Sequence, residues 1–348
     1  MPARFSSPCS TVRLRGTVRL HHPSFPGAST MGSSSLYTPE GVIPAVLMPF
    51  QADLEIDQAA YKRHVQDLAG TAGVTGLVIN GHAAEVHTLS FEEQKLALDL
   101  TMDMVDDHTP IICGIYSEST RYAQKLARMA AAGGARCLLA FPPNVLMFRG
   151  EDRPELFVDY YKALADATDL PIVLFQFPKW TGLQLSFDTL IKVCETIPQI
   201  VAIKDMCSDP ALHEKQVRNL HALARPVSVL TTHSSWLMGS VPMGVRGIIS
   251  GAGSVIANLQ VALFEAFQQN DLPRAKAVGD RIYAAVQAFY EAPYIDWQAR
   301  MKESLVALGR LPNAYVRPPL KSTHNPKRLA HWLDQAGLTP KSVYAKVA

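Results

Sequence analysis

Cysteine is scarce in this chain. There are five in 348 residues (Cys9, Cys113, Cys137, Cys194 and Cys207), an odd number with no CxxC pair. That excludes a disulfide framework and leads us to expect free thiols in a reducing, cytoplasmic setting. Charge of one sign is also missing. Thirty-three Lys and Arg face 31 Asp and Glu, a formal net charge of +2, which leaves no footprint for nucleic acid. No apolar run reaches the ~18 residues of a membrane span. No GxGxxG follows the first strand-like run, and neither HxH nor HExxH occurs. Neither a cofactor nor a metal is therefore expected.

What remains is an ordinary globular composition, 48% hydrophobic and 18% charged, with chain enough for a large core. Residues 1–40 stand apart. They carry Arg4, Arg13, Arg15 and Arg19, many serines and no acid before Glu40. A transit peptide has this composition. So has upstream sequence translated from a mis-assigned start, with Met31 as the true beginning. On either reading the segment is expected to be disordered and stands outside the fold.

From Val42 onward one unit repeats: a short apolar run, a polar turn, a helical period. The runs are Val42–Met48, Gly76–Ile79, Pro110–Ile115, Cys137–Phe141, Pro171–Phe177, Ile200–Ile203, Val227–Leu230 and Gly247–Ile249. Helical patterns separate them, several with start signals. Ser90-Phe91-Glu92-Glu93 is a capping box, and Asp209-Pro210 sets a capping acid before a first-turn proline. Eight alternating units predict a parallel (β/α)8 barrel over 41–270, with an open doubly wound sheet as the alternative. The helical patterns beyond exceed what a barrel needs, so 271–348 is expected to form a C-terminal helical extension.

In a barrel, function gathers where strands end at the C-terminal face. The sixth run reads Ile200-Val201-Ala202-Ile203-Lys204-Asp205, four apolar residues and then an amine. Desolvation pulls an ammonium down from its usual pKa of about 10.4. A neutral amine can attack a ketone and form a Schiff base. The competing reading is a strand-end lysine paired with Asp205.

The loops after the other strands supply the rest of the candidate site. After strand two comes Gly81-His82-Ala83-Ala84-Glu85, where small residues free backbone amides for a carboxylate and His82 offers acid/base chemistry. Phe175-Gln176-Phe177-Pro178-Lys179-Trp180-Thr181-Gly182 follows strand five. Lys179 is a rival amine there, and Trp180 a platform for an apolar or aromatic substrate. Strand eight ends in Ile249 and Ser250 before a Gly-rich, amide-bearing turn.

The segments Gly81–Glu85, Phe175–Gly182 and Ile203-Lys204-Asp205, in this order and spacing, resemble motifs of the dihydrodipicolinate synthase / N-acetylneuraminate lyase family. The likeness runs over about residues 41–337. It implies a barrel with helical extension, often a homodimer or homotetramer. It also implies an imine between Lys204 and pyruvate or another 2-keto acid, with that acid's carboxylate on the amides near His82 and Ala83. Departures accompany it. The family's catalytic tyrosine falls on Phe175, its loop threonine on His82, its tyrosine pair on Pro142 and Pro143, and its carboxylate-binding arginine on Trp180. His82 is expected to replace the lost proton relay.

The expected function is thus a lyase, aldolase or dehydratase acting on a 2-keto acid and an aldehyde. Lys204 and His82 are its catalytic residues, and Gly81, Ala83, Glu85, Phe175, Trp180, Thr181, Ile249 and Ser250 its binding residues. A keto-acid-binding barrel without turnover is the first alternative. Metal-assisted chemistry on His82, Glu85, His87 and His233 is the second.

Overall fold

A computed structural model describes residues 36–323 and 325–340. Of the segment 1–40, only residues 36–40 fall among them, and the expectation for the rest lies outside the described residues.

The eight apolar runs form eight parallel strands: β1 (Gly41–Pro44), β2 (Leu77–Ile79), β3 (Ile111–Ile115), β4 (Cys137–Ala140), β5 (Ile172–Gln176), β6 (Ile200–Asp205), β7 (Ser228–Thr231) and β8 (Gly247–Ser250). They pair in the order β1-β8-β7-β6-β5-β4-β3-β2. Apart from Gly41 and Ser228, every strand residue is buried. That explains why the runs read as continuously apolar rather than alternating.

Helices cross between the strands: α1 (Gln58–Ala69), α2 (Phe91–Met102), α3 (Thr120–Ala132), α4 (Pro154–Ala165), α5 (Phe187–Thr196), α6 (Pro210–His221), the four-residue α7 (Leu237–Ser240) and α8 (Gly253–Gln268). Asp57 caps α1, accepting from Ala60 N (2.9 Å). The two start signals read from the sequence act as expected. Ser90 and Glu93 close the capping box of α2, and Asp209 caps α6. Three further helices, α9 (Leu272–Tyr290), α10 (Trp297–Ala307) and α11 (Pro326–Gln335), pack on α8 and one another. The fold is a (β/α)8 barrel with C-terminal helices.

Two strands end two or more residues from where the sequence reading put them. The run Val42–Met48 is buried throughout, yet β1 stops at Pro44. Beyond it the backbone splits its bonds: Ala45 N donates to Ser250 O (2.9 Å), Val46 N to Val78 O (2.8 Å) and Leu47 N to Ser254 Oγ (3.1 Å). These residues therefore tie β8 to β2 and close the cylinder. Strand β6 runs two residues further than predicted. Lys204 stands opposite Phe175 and Leu230 in the ladder, so two neighbouring strands fix its backbone.

Gly114 of β3 sets the height of the loop after β2. A Cβ on it would lie 2.0 Å from Asn80 O and 3.0 Å from Gly81 N. Gly114→Ala must push that loop away, and overpacking of this kind costs about 1–3 kcal/mol. Denaturant unfolding of Gly114→Ala should show a loss in that range; unchanged stability would show that the loop yields freely.

Candidate active site

Successive strand residues point to opposite faces, and this separates Lys204 from Asp205. The Asp205 carboxylate faces the helical layer. It accepts from His213 Nδ1 (2.6 Å), Gln216 Nε2 (3.1 Å) and Cys207 N (2.8 Å). Lys204 faces the barrel interior, is only 7% exposed, and among the described residues has no carboxylate within 4 Å. Burial alone lowers its pKa from 10.5 to about 7. The strand-end ion pair with Asp205 is therefore not formed.

The amine lines a cavity of about 390 Å³ at the C-terminal mouth, within the range that holds small ligands. The wall includes His82, Ala83, Phe175, Phe177, Trp180 and Thr181, gathered from the loops that the sequence singled out. Phe175 presents its ring to Lys204, with Nζ 5.1 Å from the centroid. Thr181 secures its own turn, donating to Pro178 O (2.7 Å) and accepting from Leu183 N (3.2 Å). Trp180 stands at the rim, 70% exposed. The rival Lys179 is exposed and does not line the cavity.

The loop after β2 folds as two 3-10 turns, His82–Ala84 and Val86–Thr88, hinged at Glu85 in the left-handed region (φ 53°). Ala84 N and Glu85 N bond within the loop (3.0 Å each). The N–H groups of His82 and Ala83 have no hydrogen-bond partner among the described residues, as at any helix start. The His82 ring sits among Phe141 (4.3 Å between centroids), Tyr116 (5.5 Å), Phe175 (5.7 Å) and Phe177 (5.8 Å). Burial, helped by the nearby charges of Lys204 and His87, lowers its pKa to about 3. The imidazole is neutral at physiological pH.

Four predicted binding residues lie elsewhere. Gly81 is buried below the turn and does not line the cavity. Ile249 is buried in the ladder opposite Ile43. Ser250 is sealed, its hydroxyl 2.6 Å from Ser234 Oγ. Glu85 is turned fully inward. Its carboxylate pairs with Lys302, both side chains 0% exposed, and also accepts from Arg317 N (2.9 Å). Glu85 ties the β2 loop to α10 and does not line the cavity. Lys302 has a depressed pKa too, about 8, lowered by burial and partly restored by Glu85. It is an amine locked in an ion pair and closed off from the cavity, unlike Lys204.

Sequence reasoning missed the far wall. Tyr290 ends α9, Trp297 begins α10, and Tyr294 lies in the turn between them; all three line the cavity. The Tyr290 hydroxyl meets the Ser234 and Ser250 side chains and the Ala252 N–H, while burial raises its pKa. The available signal was three aromatic residues within eight around Pro293, at a helix–helix turn. Their position over the barrel mouth is a tertiary fact.

Two other constellations are accounted for. Ser240 Oγ lies 2.9 Å from His213 Nε2, so Asp205, His213 and Ser240 form a hydroxyl–imidazole–carboxylate chain. All three are buried away from the cavity, and the chain pins α6 and α7 against β6. The four residues considered for a metal are not brought together: Glu85 faces Lys302 and His87 is exposed. Among the described residues no group of three His, Cys, Asp or Glu is arranged to hold an ion.

Removing one partner of a buried ion pair costs about 3–5 kcal/mol. Glu85→Gln should therefore lower unfolding free energy by that amount, read by denaturant titration. A loss below about 1 kcal/mol would contradict this tie.

Comparison with known proteins agrees with this geometry. The profile of the dihydrodipicolinate synthetase family matches residues 38–333. A 4-hydroxy-tetrahydrodipicolinate synthase of Methanopyrus kandleri is 29% identical over 308 residues, covering 87% of this chain and 98% of its own length. An Escherichia coli protein named "Probable 2-dehydro-3-deoxy-D-pentonate aldolase YjhH" is 28% identical over 305 residues, 86% of this chain and 98% of its own. The crystal structure of YagE of Escherichia coli K12, a dihydrodipicolinic acid synthase family protein in complex with pyruvate, superposes with a TM-score of 0.75 at 25% identity. It covers 87% of this chain and 100% of its own. Among the described residues no helix is long and apolar enough to cross a membrane. With its barrel, its buried lysine on β6 and these matches, the chain belongs to the dihydrodipicolinate synthetase family.

Proposed function

We propose that this family member is a lyase that works through a Schiff base between Lys204 and a 2-keto acid such as pyruvate. One observation carries the reading: Lys204 is a buried amine with no counter-ion among the described residues, facing a cavity of about 390 Å³. Its pKa of about 7 leaves a large neutral fraction at physiological pH. The neutral Nζ attacks the keto carbon, water leaves, and an iminium forms. That cation draws electrons from the adjacent C–C bonds, so a bond can be made or broken beside it. The ring of Phe175 offers it a favourable face.

The unpartnered N–H groups of His82 and Ala83 are suited to the substrate carboxylate. His82 then moves the proton. Before substrate binds, its imidazole is a weak base, held neutral by burial among aromatic rings. A carboxylate bound at its own N–H places negative charge beside the ring and raises its basicity. Assembly into two or four copies belongs to the same proposal. The exposed Val145, Met147 and Phe148 after β4 support it.

The test is reductive trapping with pyruvate and borohydride, followed by mass spectrometry. A stable adduct on Lys204, absent in Lys204→Ala, is the expected result; no adduct with any 2-keto acid sinks the reading. General acid/base help is worth about 10²–10⁴-fold. His82→Ala should form the adduct yet lose turnover by that factor. If Tyr290→Phe shows that loss and His82→Ala does not, the proton passes through the tyrosine hydroxyl. Adduct formation with no product from any acceptor would favour a binding barrel without turnover.

A further inference from the structure

The cavity that Lys204 lines also carries an aromatic wall from the end of α9, the start of α10 and the turn between them. Tyr290 and Tyr294 stack at 5.6 Å between centroids and 16° between planes. Trp180 meets Tyr294 edge-on at 6.3 Å, and Trp297 tilts against Tyr290 at 6.4 Å. The wall runs from the amide end of the site to the rim. A Cβ built on Gly251 would lie 3.1 Å from the Trp297 ring and 3.7 Å from Ala83 Cβ, so Trp297 borders the carboxylate end. Trp180, 70% exposed, borders the mouth.

Charge is missing from this cavity. Its lining contains no Asp, Glu or Arg, and Lys204 is its one lysine. Its two histidines, His82 and His233, are both pushed by burial toward the neutral form. The remaining polar side-chain groups are uncharged: the hydroxyls of Thr181, Ser208, Thr232, Ser234, Ser235 and the tyrosines, and the indole N–H groups of Trp180 and Trp297. Once Lys204 is an iminium and the amides of the β2 loop hold the keto acid's carboxylate, no cation is left for a second acid group. Burying an unpaired carboxylate against aromatic faces is strongly disfavoured. A flat uncharged ring, by contrast, gains offset-stacked and edge contacts there.

From this wall we infer that the second reactant is a neutral aldehyde with an aromatic or apolar body, not one bearing a carboxylate or phosphate. This inference rests on the Schiff-base reading. In the condensing direction, the pyruvate iminium loses a methyl proton and becomes an enamine. Its carbon bonds to the aldehyde carbon, and the aldehyde oxygen takes up a proton to become a hydroxyl. Water then splits the iminium and returns the Lys204 amine. The product is a 4-hydroxy-2-keto acid bearing the ring, and no oxidant or reductant enters. Cleavage runs the same steps backward.

The test uses the full chain with pyruvate and three acceptors: benzaldehyde, acetaldehyde and succinic semialdehyde. Product is read by mass spectrometry, and borohydride trapping of pyruvate is run on the same preparation. Benzaldehyde is expected to exceed succinic semialdehyde at least tenfold in kcat/KM. Trp180→Ala and Tyr294→Ala should reduce the benzaldehyde-to-acetaldehyde ratio tenfold or more, Trp180→Phe should largely restore it, and Trp180→Arg should shift preference toward succinic semialdehyde. Faster reaction with the acidic aldehyde, or wild-type ratios in both alanine variants, would overturn the inference. So would trapping at Lys204 with no benzaldehyde product, and in that case the Schiff-base reading stands alone. Absence of trapping removes both.

Discussion

The organising constraint is an amine held out of water with nothing to neutralise it. Lowering Lys204 from 10.5 to about 7 corresponds to roughly 5 kcal/mol at about 1.36 kcal/mol per unit. The fold bears this cost at every pH below the lysine's unfolded pKa, in full once the pH is under about 7. A structural lysine would not be kept in that state. Lys302 shows what the barrel does with one: fully buried, it is bound by Glu85 and by the Tyr315 carbonyl (2.8 Å). Both lysines are buried and they differ in a partner, and that difference separates a cavity-facing amine from a strut.

Strand geometry makes the isolation possible. The side-chain alternation of β6 sends Asp205 outward to His213, Gln216 and the Cys207 amide, so the acid next in sequence is out of reach. Phe175 and Leu230 flank Lys204 in the ladder. The aromatic ring of Phe175 excludes water and offers an iminium a favourable face. The same apolar surround keeps His82 neutral.

Much of this was legible in the chain. Eight apolar runs alternating with helical patterns, one opened by a capping box and another by Asp209-Pro210, call for a parallel sheet with helical crossovers, and their number favours closure into a barrel. Lys204 was legible because a charge ending a β-branched run contradicts its surroundings. The failures have a common physical cause. Glu85 looked like a ligand, but its direction depends on Lys302, 217 residues away. Ile249 and Ser250 end β8, yet Ile249 is buried in the ladder opposite Ile43 and the Ser250 hydroxyl is held by Ser234, so neither lines the cavity. The aromatic residues at the α9–α10 turn showed only as a local cluster, since nothing in their spacing tells that the extension folds back over the mouth. Local pattern specifies elements; which side chain faces the cavity is decided by pairing between distant segments.

The most direct measurement is the proton affinity of Lys204 itself in the free enzyme. Isotope-labelled lysine side chains can be followed by NMR across pH 5 to 11, with Lys204 assigned by its absence in Lys204→Arg. A midpoint near 7 is expected, because burial disfavours the charged amine. A midpoint near the ordinary 10.5 would mean that the amine is hydrated or paired, and would contradict the account at its base.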